Sequence, residues 1–291
     1  MAILIDAEQC NGCMLCTEIC VLGNFEAGED GKVHSAEGVS CFACGHCVAV
    51  CPTGAMSHSD LESARIEALD QSARPSFEQF LSFLKMRRSR REFKPDPVPR
   101  EEVEKLLLAA VEAPSSINNQ SVEYTVVTDP AALEGISERA ATAVGGMART
   151  MKNPFVKGFM RLSAPKMYDS IMPFAPLMDL TLKLQAQGRD MMLYDAPCLI
   201  LLHAPKWDIC APMDAVFNAE NILLAAETLG LGACVIGFVF EPMNKDAEMK
   251  RLAGIPKDHK VFSAIALGYP RFKYRAAPPK KPPIVHFVGP V

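Results

Sequence analysis

Cysteine is the residue whose number and spacing in this chain point most directly to chemistry. Two runs share the spacing C-x-x-C-x-x-C-x-x-x-C, and only the second continues into proline, at Pro52, where the first has Val21. Thiolate sulfur ligates zinc and iron–sulfur clusters, and paired thiols also form disulfides. The same spacing twice, about thirty residues apart, predicts an internal duplication of one cysteine-rich unit. The runs are Cys10, Cys13, Cys16 and Cys20, then Cys41, Cys44, Cys47 and Cys51.

Three kinds of site use cysteines, and the spacing distinguishes between them. A disulfide framework suits short secreted chains, whereas this chain has 291 residues and opens with MAILIDAEQC, which lacks the regions of a signal peptide. Zinc takes four ligands, usually in two separated pairs, so two full runs supply too many thiolates. The spacing is typical of bacterial two-cluster ferredoxins, in which the fourth cysteine of each run ligates the other cluster. We therefore predict one 4Fe–4S cluster on Cys10, Cys13, Cys16 and Cys51, and a second on Cys41, Cys44, Cys47 and Cys20.

A change of composition after the second cysteine run predicts two domains. Residues 1–56 should form the small two-cluster domain, residues 57–75 a polar linker, and residues 76–291 the second domain. Ser76 and Gln79 make the S-x-x-Q pattern of a capping box, which predicts that a helix begins there. The formal charge of −4 argues against a nucleic-acid-binding surface. No apolar stretch reaches about eighteen residues, so no transmembrane helix is predicted.

Two polar segments of the second domain are candidates for binding. The run Arg87–Arg91 follows an apolar helix and precedes Phe93. It is either a solvated surface or an anion site, because guanidinium groups grip phosphate bidentately. The loop Pro114–Gln120 either turns the chain or binds a polar heterocycle. Continuous apolar runs predict buried strands at Cys198–His203, Cys234–Phe240 and Val261–Leu267.

Residues 76–291 resemble the nitroreductase family of FMN-dependent oxidoreductases. The motifs that carry the resemblance are R-R-S-R-R-E-F at Arg87–Phe93, P-S-S-I-N-N-Q at Pro114–Gln120, G-A-C-V-I-G-F at Gly232–Phe238 and L-G-Y-P at Leu267–Pro270. Together with the cysteine runs, the chain resembles the ferredoxin–nitroreductase fusions of anaerobic prokaryotes. The resemblance implies an α+β fold with a mostly antiparallel central sheet. It also implies a homodimer with FMN at the subunit interface.

The resemblance also implies which residues contact FMN. One segment would bind its phosphate and place positive charge near the flavin N1–O2 edge, a second would come from the partner subunit, and a third would bring backbone close to N5. The family's usual Q-P-W is replaced here by Gln120-Ser121-Val122, and the Met-rich residues 141–194 match least. In the family this Met-rich region covers the flavin. The phosphate segment consists of Arg87, Arg88, Ser89 and Arg91, with Arg275 and Lys280 as further phosphate ligands. The segment from the partner subunit consists of Pro114, Ser115, Ser116, Asn118 and Gln120. The segment near N5 consists of Ile236 and Gly237.

The predicted function is that of an oxidoreductase that passes electrons from the clusters to FMN and on to an electron-poor acceptor, such as a nitroaromatic, quinone or enone. The donor would be a ferredoxin or NAD(P)H, although no G-x-G-x-x-G motif follows a strand. Two alternatives stay open, a redox-sensing or electron-carrying flavoprotein without organic substrate and a flavin-modifying relative. Clusters and free thiols together predict a reducing, cytoplasmic setting. Contact with a membrane is not expected, and the pattern names no catalytic residue.

Overall fold

A computed structural model describes residues 3–38 and 40–289 of the chain. The chain divides into two compact units, of which the first comprises Met1–Pro75 together with Ser115–Gln120, and the second comprises Ser76–Pro114 and Ser121–Val291. The short apolar run at residues 2–5 predicts an edge strand, and residue 2 of that run lies outside the described residues. Within the described residues, no helix is both long and apolar enough to cross a bilayer.

The first unit is built from two short antiparallel hairpins and two one-turn helices. Strand β1 pairs with β4, so that Ile3 lies opposite His58, and β2 pairs with β3. Because β4 extends to His58, the first residues of the segment predicted as linker belong to this hairpin. The rest of that segment forms two 3₁₀ turns, at Ser63–Arg65 and Gln71–Ala73. The elements are β1 (Ile3–Ile5), α1 (Leu15–Ile19), β2 (Phe25–Ala27), β3 (Val33–Ser35), α2 (His46–Val50) and β4 (Met56–His58).

The second unit is a four-stranded sheet covered by helices on both faces. Its strand order is β5-β6-β8-β7, and every neighbouring pair is antiparallel, which confirms the predicted α+β fold. Its strands are β5 (Glu123–Val127), β6 (Cys198–Pro205), β7 (Gly232–Val235) and β8 (His259–Gly268). Its helices are α3 (Phe77–Met86), α4 (Arg100–Val111), α5 (Pro130–Lys152), α6 (Pro154–Ser163), α7 (Pro165–Ile171), α8 (Ala175–Ala186), α9 (Ala211–Thr228), α10 (Gly237–Met243) and α11 (Ala247–Leu252).

The central strand β6 explains why both faces of the sheet are covered. Successive side chains of a strand point to opposite faces, and here both sets are apolar and buried. Leu199 and Leu201 belong to a core cluster that also contains Ile136 of α5. Ile200 belongs to a second cluster that also contains Leu106 of α4. A buried leucine stabilises the fold by about 1.5–3 kcal/mol, so this strand anchors both layers.

Local signals set several helix ends, and one predicted strand was wrong. The capping box at Ser76 is present, because the Ser76 hydroxyl accepts from the Gln79 amide and the Gln79 side chain accepts from the Ser76 amide. Prolines divide the Met-rich region into helices α5–α8, because a proline cannot continue the preceding helix. The strand predicted at Cys234–Phe240 instead ends at Val235, and α10 begins two residues later. An apolar run fits a buried strand and a buried helix equally well.

Candidate functional site

The two cysteine runs fold in the same way, as their shared spacing predicts. In each run a left-handed residue follows the second cysteine, Met14 with φ 63° in the first and Gly45 with φ 74° in the second. A one-turn helix begins directly afterwards, contains the third cysteine, and ends at Cys20 or Cys51 as its C-cap. The sequence duplication is therefore also a duplication of backbone conformation.

One cavity brings together cysteines from both runs. Its volume is about 50 Å³, and Cys20 of the first run lines it together with Cys41, Cys44 and Cys47 of the second. Apolar residues such as Phe25 complete its wall. Four cysteines around one apolar cavity fit a thiolate-ligated cluster. This set is also the one that the crossed assignment gives to the second cluster.

When no metal is bound, burial disfavours the thiolate form of two of these cysteines. Burial raises the pKa of the Cys16 and Cys47 thiols, and neighbouring cysteines of the same run raise it further. The ligating form of cysteine is the thiolate, which these surroundings disfavour. The positive charge of bound iron would reverse that preference, because a coordinating thiol loses its proton. The two runs therefore fit the clusters that their spacing predicts.

Backbone pairing with β7 positions the arginine run. The Arg90 amide donates to the Ala233 carbonyl at 3.1 Å, and Ser89 forms a parallel bridge with the same residue. The run therefore lies extended beside Gly232–Val235, and its side chains separate into two groups. Those that line a cavity of about 420 Å³ are Arg87, Arg88, Ser89 and Arg91, together with Tyr274, Ala276, Pro278 and Lys280 from the C-terminal tail.

This cavity has the chemistry of an anion site. Among the described residues, its lining contains three guanidinium groups, one ammonium group, the hydroxyls of Ser89 and Tyr274, and no carboxylate. Arg87 also faces Glu220, with Nε 3.5 Å from Oε1, which neutralises only one of these cations. Guanidinium groups match the geometry of phosphate oxygens, so the cavity fits a phosphate group.

Arg90 points away from the cavity and fixes the tail that helps to line it. Its guanidinium forms an ion pair with Glu227 at 3.3 Å, and the two side chains keep only 11% and 14% of their exposure. Its Cζ lies 3.9 Å from the centroid of the Tyr274 ring, and Nη1 donates to the Phe272 carbonyl at 3.1 Å. A desolvated cation over an aromatic face is attracted to it. Arg90 therefore holds Tyr274 in place from behind the cavity wall.

The segment after β7 offers backbone rather than a side chain. Ile236 is 4% exposed and packs in the first core cluster, and its amide donates to the Ala264 carbonyl at 2.8 Å. Gly237, in contrast, is exposed, and a Cβ added to it would have no neighbour nearer than 4.0 Å, in Phe240. The exposed apolar side chain at this point is Val235, at 42%.

The loop Ser115–Gln120 is strained and belongs to the first unit. Ile117, Asn118 and Gln120 have φ values of 47°, 55° and 48°. A left-handed β-branched residue such as Ile117 is a genuine outlier, and such strain clusters at functional sites. The Asn118 side-chain amide donates to the Ala43 carbonyl at 2.7 Å, and its Oδ1 accepts from Gln120 Nε2 at 2.9 Å. Ala43 lies between Cys41 and Cys44 of the second run.

Comparison with known proteins identifies both parts of the chain. A sequence profile described as the nitroreductase family matches residues 84–269. This chain belongs to the nitroreductase family. A profile described as a 4Fe-4S dicluster domain matches residues 9–56, so the predicted ferredoxin–nitroreductase fusion is confirmed.

Three individual proteins illustrate what this nitroreductase-family chain is similar to. A protein of Archaeoglobus fulgidus named as an NADH dehydrogenase/NAD(P)H nitroreductase is 29% identical over 194 residues, 67% of this chain and 87% of its own length. A nitroreductase with bound FMN from Desulfitobacterium hafniense aligns with a TM-score of 0.52 and 21% identity, over 72% of this chain and 97% of its own. An FMN-dependent nitroreductase from Clostridium difficile aligns with a TM-score of 0.51 and 22% identity, over 73% of this chain and 99% of its own. The two structures establish likeness of fold.

The structure brings only some of the residues implied by the family resemblance into one cavity. The arginine run and Lys280 line one cavity, but Arg275 is absent from the described residues that line it. Sequence reasoning missed Tyr274, for which the only signal was an aromatic residue within a basic tail. Tyr194 has φ 62°, and its ring centroid lies 5.9 Å from Arg91 Cζ. Burial raises the pKa of Tyr194, although the nearby Arg91 opposes the rise.

Proposed function

We propose that this oxidoreductase takes electrons into two 4Fe–4S clusters, passes them to FMN, and reduces an electron-poor organic acceptor of the nitroaromatic, quinone or enone type. The observation that carries the proposal is that one polypeptide joins a 4Fe-4S dicluster domain to a nitroreductase-family domain. The clusters supply one-electron steps, whereas a flavin stores two electrons, and the protein contributes binding, orientation and electrostatics.

The cofactor assignment rests on the donor sets of this chain. We propose that the cavity beside β7 holds the FMN phosphate on Arg87, Arg88, Ser89, Arg91 and Lys280, because its lining is cationic and contains no carboxylate. Tyr274 joins this set as a new member, and Arg275 of the same tail stays a proposed phosphate ligand although it does not line the cavity. The name of the Desulfitobacterium hafniense relative, which has FMN bound, supports the choice of flavin. Further contacts are proposed from Pro114, Ser115, Ser116, Asn118 and Gln120, and from the backbone of Ile236 and Gly237.

The strained loop contacts the second cysteine run and is also a segment that family resemblance assigns to FMN. The contact is the hydrogen bond from the Asn118 amide to the backbone of that run. The loop is also joined covalently at both ends to the chain of the second unit. We propose that the cluster on Cys20, Cys41, Cys44 and Cys47 is the one that passes electrons to the flavin.

The remaining parts of the proposal concern assembly and setting. We propose a homodimer, because Phe155 and Phe159 of α6 and Ile284, Phe287 and Val288 of the tail are strongly exposed apolar residues. The tail forms no strand within the described residues. We propose that the second domain begins after residue 75, and that the boundary expected after residue 56 moves to the end of β4 at His58. We also propose a cytoplasmic setting, because exposed clusters and free thiols need reducing conditions.

Anaerobic stopped-flow spectroscopy tests the route of electron entry. Reduced ferredoxin should bleach FMN in the wild type, and Cys47→Ser should abolish that reduction because it removes a ligand of the second cluster. Cys210→Ser is the matched control, since Cys210 is a partly exposed cysteine outside both runs. If the Cys47→Ser protein is reduced at the wild-type rate, the clusters are not the entry route. NAD(P)H is the parallel donor, as the names of the Archaeoglobus relative suggest.

An acceptor screen on the reduced holoenzyme tests the second half of the proposal. Turnover with nitroaromatics, quinones or enones is the expected result. Reduction of FMN without turnover of any acceptor would indicate the electron-carrier or redox-sensor alternative. One aerobic incubation tests the flavin-modifying alternative, which predicts loss of FMN absorbance together with a fragmented flavin product.

A further inference from the structure

A buried pair of histidines lies at one end of the four-stranded sheet, outside every segment assigned to FMN. His203 lies directly opposite Glu123 of the edge strand β5. On the other side, His203 pairs with Val261, two residues along β8 from His259. Side chains two residues apart on a strand share a face, so adjacent strands place these three side chains together. Glu123, His203 and His259 offer ligand atoms that all lie within 4.8 Å of one another.

Burial and distance distinguish this group from a chance surface cluster. His203 is 2% exposed and His259 is 6% exposed. Their Nδ1 atoms are 2.9 Å apart, and His259 Nδ1 is 3.8 Å from Glu123 Oε2. The Glu123 side chain keeps 60% of its exposure, so the group is open to solvent on the carboxylate side. An ion could therefore reach it without opening the core.

Hydrogen bonding orients the ring of His203 toward its neighbour. His203 Nε2 lies 2.9 Å from Thr125 Oγ1. If Nε2 carries the proton and Thr125 accepts it, the Nδ1 lone pair of His203 faces His259. Metal-ligating histidines nearly always donate a hydrogen bond from their second ring N–H to an oxygen, which fixes the orientation of the ring and its tautomer. In that tautomer, and without a metal, His259 Nδ1 is the donor and His203 Nδ1 the acceptor of the bond between them. With a metal, that proton moves to His259 Nε2, and both Nδ1 lone pairs become available.

We propose that Glu123, His203 and His259 form a binding site for a divalent first-row transition metal, separate from the clusters. Imidazole nitrogen with carboxylate oxygen is a ligand set that such ions prefer. Two nitrogens 2.9 Å apart, each about 2.05 Å from a common ion, subtend an angle of about 90°. That angle suits two neighbouring positions of a six-coordinate ion. A tetrahedral ion would need the nitrogens about 3.3 Å apart, a shift of about 0.4 Å.

The surrounding charges set the conditions for binding. Lys250 Nζ donates to the His259 carbonyl at 2.5 Å, and Lys250 itself is 9% exposed. Its positive charge opposes a second cation nearby. The Glu123 carboxylate offsets the charge of the ion. Water would complete the coordination on the exposed side. Because its ligands come from β5, β6 and β8, the bound ion would link three strands at one end of the sheet.

Zn²⁺ is the probe for this site, because it has no geometric preference from its d electrons and its ligand distances identify the donor atoms. The full-length holoenzyme, with both clusters loaded, is dialysed against Zn²⁺, and zinc and iron are counted per chain. One zinc beyond the cluster iron is expected. Its X-ray absorption should show nitrogen and oxygen at about 2.0–2.1 Å and no sulfur at about 2.3 Å. Sulfur neighbours would mean that zinc sits on cysteines, which would overturn the proposal.

Variants locate the bound zinc. Glu123→Gln, at an exposed position that should leave the fold intact, removes a direct ligand and is expected to weaken zinc binding by at least the roughly 10- to 100-fold that losing a partner of a ligand costs. His259→Asn should abolish binding, with an unchanged circular dichroism spectrum showing that it folds. His34→Gln is the matched control, since His34 and Asp30 form an exposed histidine–carboxylate pair at 3.0 Å. The absence of bound zinc in the wild type, or wild-type affinity in both Glu123→Gln and His259→Asn, would refute the site.

Discussion

Replacing Arg90 with alanine should destabilise the flavin-binding unit although Arg90 does not line the proposed phosphate cavity. The substitution removes the ion pair with Glu227, the hydrogen bond to Phe272 and the cation over the Tyr274 ring. Glu227 would then be left with 14% of its side chain exposed and no positive partner from Arg90. Because Tyr274 lines the cavity, FMN affinity should fall together with stability.

The expected magnitude follows from two opposing terms. Removing one partner of a buried ion pair costs about 3–5 kcal/mol, because the other charge stays buried. Against this, Arg90 Nε is itself buried without a hydrogen-bond partner among the described residues, and removing such a donor regains about 1–2 kcal/mol. The net loss in the free energy of unfolding is therefore about 2 kcal/mol. For a unit of this size that corresponds to a fall in Tm of about 4–8 °C.

Thermal unfolding of the anaerobic holoenzyme and FMN titration of the apoprotein measure the two effects. Arg100→Ala is the control, since Arg100 and Glu104 form an ion pair at 2.7 Å whose side chains are 90% and 55% exposed. Distance alone would rank that pair above Arg90–Glu227, whereas solvent screening predicts the opposite order. A double-mutant cycle with Glu227→Ala isolates the pair itself.

Two results would contradict this reasoning. If Arg90→Ala lowers Tm no more than Arg100→Ala does, then burial does not decide the strength of these pairs. If FMN affinity is unchanged while stability falls, Tyr274 needs no support from Arg90, and its place in the cavity wall is incidental.

Three further predictions concern other parts of the chain. Gly232→Ala should lower stability by about 1–3 kcal/mol in urea unfolding, because its Cβ would lie 2.8 Å from Arg90 Cγ. Cys20→Ala should remove the EPR signal of the cluster on the second run and spare the other, so loss of the other signal would sink the crossed assignment. Tyr124→Phe should lose about 1 kcal/mol, because Tyr124 donates to Asn218 at 2.6 Å. Burial raises the pKa of Tyr124 to about 12, so its contribution, present below pH about 10, should fade as pH rises and be absent in the variant.

The elements that follow from local spacing could be predicted from the sequence. The cysteine runs, the capping box at Ser76 and the prolines that divide the Met-rich region each act within a few residues. The strands Cys198–His203 and Val261–Leu267 were also correct at their cores, because a long apolar run with β-branched residues favours a buried strand.

Features that depend on long-range contacts could not be predicted. Within the run Arg87–Arg91, nothing local distinguishes Arg90 from its neighbours, and only pairing with Ala233 turns its side chain toward Glu227. The histidines of the sheet are 56 residues apart in sequence. The apolar run after Cys234 gave no sign that the backbone changes from strand to helix near Ile236, because its pattern is compatible with both.

The hydrogen bond from Asn118 to Ala43 has a consequence for any attempt to separate the two modules. A cut at residue 75 would remove the partner of a loop whose left-handed residues are strained, and the shortened protein would have to hold that loop unaided. A transplanted ferredoxin with a different loop between the first two cysteines of its second run would meet the same difficulty. The two units are therefore connected along the chain at more than the single junction after residue 75. Residues 115–120 belong to the same compact unit as residues 1–75, although they are distant in sequence. A workable exchange would therefore move both segments together.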